Sequence, residues 1–299
     1  MPDRSSHAAG IAYVVASATA FGAMAIFARY AYRDGVDTTT LLALRFSIAG
    51  AFLVVACVVA RVDWPRGRDL ATLVALGAVG YAGQAASFFT ALTMAPAGLV
   101  ALLLYLHPAI VALLAAWRGH ERLTRPTLFA LAAALAGTAL TVGPALAEGA
   151  GGTHPAGIAF GVLAAVIYAL YIVVSTGVAS RVDPLAMSTV VIASAAVLFV
   201  ALALARGPVL PGNAGGWAAV AAIALVSTVA AITWFFAGLR RLGPTRASTL
   251  STVEPAVTVA LAAAVLGERI AAVQLAGGAL ILAAVAMLAR GTTEAGRRR

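Results

Sequence analysis

Apolar stretches long enough to cross a membrane recur along almost the whole chain, and they constrain its fold more than any other feature. An α-helix needs about 20 mostly apolar residues to cross the hydrocarbon core of a bilayer. Ten such segments cover residues 8–32, 39–61, 70–93, 97–117, 126–144, 156–179, 185–205, 216–239, 246–266 and 271–289. We therefore predict an all-α integral membrane protein with ten transmembrane helices.

The composition leads to the same class of protein. Of the 299 residues, 62% are hydrophobic and 10% are charged, whereas typical soluble domains are about 25% charged. The first segment is longer than the roughly 7–15 apolar residues of a signal peptide and lacks a small-residue cleavage site. We interpret it as the first membrane helix.

The basic residues predict the orientation in the membrane. All 20 are arginines, and if the N-terminus is cytoplasmic only Arg29, Arg33, Arg206 and Arg269 fall in or beside outer loops. The positive-inside rule then places both termini in the cytoplasm. The bias towards arginine, alanine and glycine is typical of a GC-rich bacterium, so we expect a multi-pass protein of the bacterial inner membrane. The net charge of +9 reflects topology, and no nucleic-acid partner is expected.

The sequence repeats itself at an offset of 147 residues. This shift aligns "GIAY" with "GIAF", "SFFTAL" with "WFFAGL", and "HPAIVALLAAWRGHER" with "EPAVTVALAAAVLGER". We predict a first five-helix repeat at 8–144, a connector at 145–155, a second repeat at 156–289 and a basic cytoplasmic tail at 290–299. With five helices each, the repeats cross the membrane in opposite senses, an arrangement common in secondary transporters.

Several motifs resemble the drug/metabolite transporter superfamily, EamA type. They are "AFGAMAIFAR" (20–29), "LRFSIAG" (44–50), Pro108 with Glu121, the Glu254–Pro255 pair, and "GERI" (267–270). The resemblance covers about 10–289 and implies a ten-helix transporter built from two inverted halves. It does not specify a substrate.

Glu254 and Pro255 interrupt an apolar helix at membrane depth. A carboxylate there costs about 2.5–3.5 kcal/mol on insertion scales, so it should face a cavity or a partner. Pro255 lacks an N–H and clashes with the carbonyl of residue 251, which predicts a kink, and Pro108 predicts another in the first half. Glu254 either titrates and couples protons to transport, or fixes helix packing.

Two further polar residues lie inside membrane segments. His107, which aligns with Glu254, is either a proton relay or a hydrogen-bonded packing residue. Arg45 either binds an anionic carboxylate, pairs with an acidic side chain, or extends outward to the interface.

Other polar and aromatic side chains at membrane depth complete the candidate site. Aromatic rings bind apolar bodies and attract cations, which suggests an aromatic amino acid or a cationic drug, although packing explains many such rings equally well. These substrate-binding or coupling candidates are Tyr81, Gln84, Tyr105, Tyr168, Tyr171, Trp234 and Ser251.

Motifs for other functions are absent from the sequence. A P-loop requires a lysine, and all the basic residues here are arginines. HExxH, GxSxG and paired cysteines are missing, and four scattered histidines make a poor metal site. We expect no metal, no cofactor and no enzymatic activity.

We therefore predict a secondary active transporter that exports a small metabolite, amino acid or amphipathic drug by alternating access. Its partners would be a small-molecule substrate, the lipid bilayer and, if Glu254 titrates, protons. The alternatives are a flippase for a lipid-linked substrate and an uncoupled facilitator. A flippase would need a groove that opens sideways to lipid.

Overall fold

The structure is a computed structural model that describes residues 4–117, 125–147, 153–179, 181–242, 250–251 and 253–297. This part of the chain is helical and contains no β-strand. Its α-helices, in chain order, are α1 (Arg4–Gly22), α2 (Met24–Arg33), α3 (Thr38–Ala60), α4 (Gly67–Ala75), α5 (Ala82–Met94), α6 (Ala97–Leu104), α7 (His107–Trp117), α8 (Arg125–Ala147), α9 (Pro155–Ala179), α10 (Pro184–Arg206), α11 (Ala214–Ala224), α12 (Ala231–Leu242), α13 (Val253–Leu266) and α14 (Ala272–Arg297). Two π-helical turns, Leu76–Tyr81 and Leu225–Ala230, join α4 to α5 and α11 to α12.

Six helical stretches are long and apolar enough to span a bilayer. They are Ala8–Arg33, Thr38–Ala60, Gly67–Met94, Pro155–Ser175, Pro184–Arg206 and Ala214–Phe235. Four shorter apolar helices, Ala97–Val111, Leu128–Leu140, Val253–Leu266 and Ala272–Ala284, overlap the other four predicted segments. The protein is a multi-pass membrane protein, and the count of ten spans stays a prediction.

The outer surface of the helices is apolar, as a lipid environment requires. Val59 and Val197 are 77% and 72% exposed, and Phe129 is 66% exposed. Contiguous apolar patches of this kind are rare on soluble monomers and mark contact with a membrane or a partner. Alanine, leucine and phenylalanine fill the core between the helices.

Breaks divide several of the predicted segments. The first is interrupted at Ala23 between α1 and α2, and 97–117 divides at the turn between α6 and α7. Residues 148–152 of the predicted connector and the start of the 246–266 segment lie outside the described residues.

Helix boundaries recur at nearly the same offset as the sequence repeat. α3 begins at Thr38 and α10 at Pro184, while α4 and α11 begin at Gly67 and Ala214. The packing pairs also fit a repeat: α3 lies along α10 and α8 along α14, while α1 packs on α12 and α9 on α5. In the repeat, α1 corresponds to α9 and α5 to α12, so the last two pairs are equivalent to each other.

Glycine allows the first π-helical turn to come into close contact with α10. A Cβ atom added to Gly77, in the first π-helical turn, would lie 2.9 Å from Val191 Cα and 2.8 Å from Ser194 Cβ of α10. Real Cβ contacts are longer, so the two backbones approach because Gly77 has no side chain. Small residues serve the same purpose at many membrane helix interfaces.

We expect Gly77→Ala to destabilise the protein by about 1–3 kcal/mol, the usual cost of overpacking. Reversible unfolding in mixed detergent micelles would measure the change. Gly177→Ala is the matched control, because a Cβ at Gly177 has no neighbour within 4 Å. Equal stability of the two variants would contradict the close approach of the π-helical turn to α10.

Candidate functional site

Tyr105 connects the two predicted repeats at the proline of α13. Since Pro255 has no N–H, the carbonyl of Ser251 lacks its usual backbone donor one turn later. The Tyr105 hydroxyl, at the end of α6, lies 3.0 Å from this carbonyl oxygen and 3.0 Å from Glu254 Oε2. The backbone group freed by the proline and the partly buried carboxyl group therefore meet at one hydroxyl.

The number of protons at this hydroxyl determines which hydrogen bonds can form. A tyrosine hydroxyl donates one proton and accepts through its lone pairs. If Glu254 is protonated, its O–H donates to Tyr105 Oη, and Tyr105 donates to the Ser251 carbonyl. If Glu254 is ionised, the two acceptors compete for the single Tyr105 proton. The arrangement thus satisfies both contacts fully only when Glu254 carries a proton.

The proline of the first repeat frees a carbonyl in the same way. Pro108 follows Leu104 by four residues, and the Leu104 carbonyl lies 2.9 Å from His107 Nδ1. Because a carbonyl only accepts, Nδ1 carries the proton in this contact. His107 is thus hydrogen-bonded beside Pro108, as the packing interpretation requires, and its Nε2 is left for another partner.

A chain of aromatic contacts leads from this region across the bundle. The ring centroids are 5.7 Å apart for Tyr105 and His107, and 4.6 Å apart for His107 and Tyr168. Tyr168 stacks on Tyr171 at 6.2 Å, and Tyr171 lies 5.9 Å from Tyr81. Rings from α6, α7, α9 and the first π-helical turn therefore form one continuous wall.

Arg45 of α3 lies at the far end of this wall. It is only 3% exposed, so it does not extend outward to the membrane interface. Its Nε donates to Thr228 Oγ1 at 3.1 Å, and its Nη2 lies 3.5 Å from the Tyr81 hydroxyl. Among the described residues no carboxylate lies within ion-pairing distance of Arg45, which argues against the predicted acidic partner.

The structure brings most of the predicted site residues into one connected group. Gln84 is buried one turn beyond Tyr81 and makes no hydrogen bond to another described residue. Ser251 takes part through its backbone carbonyl. Trp234 of α12 has no ring contact with the group among the described residues.

The prediction missed several residues that complete the site. Phe46 and Phe89 flank the Arg45 guanidinium, and Thr228 binds its Nε. The break after Gly22 frees a carbonyl that accepts from the Thr258 hydroxyl at 2.9 Å. One signal was present in the sequence: Thr228 stands 147 residues after Tyr81.

Comparison with known proteins identifies the family. The profile of the EamA-like transporter family matches the chain twice, at residues 8–143 and 155–290. The chain belongs to this family. It is a membrane transporter, as the motifs around Pro108 and Pro255 indicated.

Individual relatives extend over nearly the whole transporter. An uncharacterized transporter of Archaeoglobus fulgidus is 30% identical over 92% of this chain and 94% of its own length. A probable terminal-alkyne amino-acid exporter of Streptantibioticus cattleyicolor is 28% identical over 89% of this chain and 88% of its own. A protein crystal structure has the same fold, with a TM-score of 0.65 and 23% identity over 96% of this chain and 99% of that one.

A second polar group ties the halves of this EamA transporter together at one end. Glu268, in the loop between α13 and α14, accepts from the N–H groups of Ala97 and Gly98 at 2.8 and 3.2 Å. Arg29 lies 3.6 Å from the same carboxylate and also donates to the Ala95 carbonyl at 3.0 Å. Glu268 therefore caps α6 from the other repeat, beside a cleft of about 320 Å³.

We expect Glu268→Ala to destabilise the transporter by about 1 kcal/mol, because α6 loses its cap. Glu268→Gln should cost less, since its amide oxygen still accepts and a partly exposed ion pair contributes about 0–1 kcal/mol. Unfolding in mixed micelles would test this order. If Glu268→Ala were as stable as the unmodified protein, the cap would have no energetic role.

We expect Tyr105→Phe to cost about 1–3 kcal/mol, because the partly buried Ser251 carbonyl and Glu254 carboxyl group both lose the Tyr105 hydroxyl as a partner. The phenylalanine keeps the ring contact with His107 and removes only the hydroxyl. Tyr30→Phe is the matched control because Tyr30 is exposed. The stability of both variants would be measured. If Tyr105→Phe lost no more stability than Tyr30→Phe, the contact at Tyr105 would be contradicted.

Proposed function

We propose that this transporter is a secondary active exporter of a small metabolite, amino acid or amphipathic drug. It would work by alternating access between two inverted repeats in the bacterial inner membrane, with both termini in the cytoplasm. The observation that carries the proposal is the contact of Tyr105 in one repeat with Glu254 and the Ser251 carbonyl in the other. This contact can respond to the protonation of Glu254, and it joins the two repeats that would move relative to each other during alternating access.

The proton would act through the direction of the Tyr105 hydrogen bond. With Glu254 protonated, Tyr105 binds the Ser251 carbonyl and holds the end of α6 on α13. Loss of the proton draws the Tyr105 hydroxyl to the carboxylate and weakens its bond to the backbone. A ligand can shift such an equilibrium only by its different affinity for the two states, and here the proton would supply that difference.

Neighbouring contacts support a moving element at this point. A Cβ on Gly22 would lie 2.8 Å from the Glu254 carbonyl oxygen, so the break between α1 and α2 packs directly on α13. Thr258 donates to the carbonyl of Gly22 at 2.9 Å. Broken helices at membrane depth are typical of transporter sites, where they line a cavity or lie buried in protein.

The aromatic wall supports a cargo with an apolar or aromatic body. Tyr168 and Tyr171 are partly exposed, and aromatic faces bind both apolar groups and cations. The relative from Streptantibioticus cattleyicolor is called an amino-acid exporter, which agrees with a small amphipathic cargo. We propose Glu254 as the coupling residue and the tyrosines as the cargo wall, with Gln84 at its edge.

The test is proton movement in proteoliposomes that contain a pH-sensitive dye. Amino acids and cationic amphiphiles are added in turn, and we expect at least one to move protons in the unmodified protein. Glu254→Gln should abolish this flux, because the carboxyl proton is lost while the side-chain shape is kept. The control is Glu294→Gln, near the C-terminal end of α14. It changes the net charge by the same amount as Glu254→Gln and should behave like the unmodified protein.

Other results would assign a different function. Substrate movement without protons in both the unmodified protein and Glu254→Gln would make the transporter an uncoupled facilitator. If no compound moved but fluorescent lipids crossed the bilayer, the flippase alternative would replace export.

A further inference from the structure

The Arg45 guanidinium lies close to two aromatic rings but is only partly hydrogen-bonded at its edge. Its Cζ lies 4.9 Å from the Phe46 ring centroid and 5.2 Å from that of Phe89. Nε and Nη2 make its two hydrogen-bonding contacts, to Thr228 and Tyr81. A guanidinium has five N–H donors in a planar fork, so most of this fork has no acceptor among the residues that the structure describes.

Nη1 is the nitrogen that is left over. It has no hydrogen bond to any described residue, yet no sealed side-chain nitrogen or oxygen in the described part of the chain lacks a partner. Nη1 therefore keeps some surface that a water molecule can reach. The side chain as a whole is only 3% exposed, so this accessible surface is small.

Within the described part of the chain, the charge on Arg45 also has no counter-ion. The ion pairs between described residues are Arg29 with Glu268 and Arg181 with Asp69. A charged group inside a membrane protein normally faces a partner or an aqueous cavity, because leaving water is costly. Two aromatic rings offset part of this cost, but neither neutralises the charge.

The position of Arg45 favours a ligand that both halves can hold. Its hydrogen-bonding partners, Tyr81 and Thr228, are 147 residues apart and lie in the two π-helical turns. Position 192, which corresponds to Arg45 in the second repeat, is isoleucine. A single positive charge therefore lies between equivalent elements of both repeats, and π-helical turns are frequent at functional sites.

We propose that Arg45 binds the carboxylate group of the transported molecule through the free edge of its guanidinium. A carboxylate matches the planar fork with two parallel hydrogen bonds and supplies the missing negative charge. The aromatic wall, which begins at Tyr81, would then contact the rest of the transported molecule. This inference rests on the transport function proposed above, because it assigns the group by which the cargo is held.

The competing explanation is structural. Arg45 would join the two π-helical turns through Tyr81 and Thr228 and bind no ligand. Both explanations predict that removal of Arg45 lowers stability, so stability alone does not separate them. They differ in whether carboxylates stabilise the protein only when Arg45 is present.

The experiment uses purified full-length protein in detergent, in sulfate buffer of fixed ionic strength. Thermal unfolding is followed during titration with 3-phenylpropionate, L-phenylalanine, 2-phenylethylamine and sodium chloride. The three organic probes share a ring and differ in their charged groups, and chloride represents a free inorganic anion. We expect saturable stabilisation by the two carboxylates and none by the amine.

Two variants assign that effect to Arg45. Arg45→Met keeps an apolar stem against Phe46 and should lose the carboxylate response completely. Arg45→Lys keeps the charge but not the fork, and should bind carboxylates about tenfold more weakly. If Arg45→Met does not fold, the Arg45→Lys titration still provides the comparison.

Three results would overturn the proposal. They are an unmodified protein that no carboxylate stabilises, equal stabilisation by chloride, and a carboxylate response that persists unchanged in the Arg45 variants. Binding in detergent requires no transport step. A failed proton-flux assay would therefore leave carboxylate binding measurable, and failed carboxylate binding would leave proton coupling by Glu254 intact.

Discussion

The site depends on one constraint, which is that backbone polar groups inside a membrane need partners from within the protein. Where Pro108, Pro255 and the break after Gly22 free a carbonyl, a nearby side chain binds it. Pro255 frees the Ser251 carbonyl for Tyr105, and the break after Gly22 frees a carbonyl for Thr258. The irregular points of the helices are therefore where the two halves are bonded together, and the polar residues of the site collect there.

Equivalent positions of the two repeats meet at two places in the structure. Tyr105 contacts both His107 and Glu254, which are 147 residues apart, and Arg45 contacts both Tyr81 and Thr228, which share that spacing. In each case a single residue lies between two related elements. An ionisable side chain in such a position interacts with both halves, so its charge state or its ligand can influence how they pack.

Much of the architecture and part of the site were predictable. Helix length and position follow from apolar runs, because hydrocarbon excludes any segment that cannot satisfy its own backbone. The turn at Tyr105 and Leu106, just before Pro108, and the bond from Tyr105 to the Ser251 carbonyl both fit a missing proline N–H. The kink at Pro255 stays a prediction, and the duplication follows from the shift that aligns the two prolines. The π-helical turns were not predictable, since their sequences, such as "LGAVGY", fit an ordinary α-helix and only packing against α10 shows why Gly77 is there.

The sequence by itself determined that the protein lies in a lipid bilayer, that it is helical and duplicated, and which residues carry a charge that is costly in a membrane. Each of these depends on composition and local spacing, which are properties of the chain alone. Tertiary structure decided which of those residues act together. Whether Arg45 meets a carboxylate or two aromatic rings, and whether Glu254 faces lipid or Tyr105, depends on how helices far apart in sequence pack, and no local pattern encodes that contact.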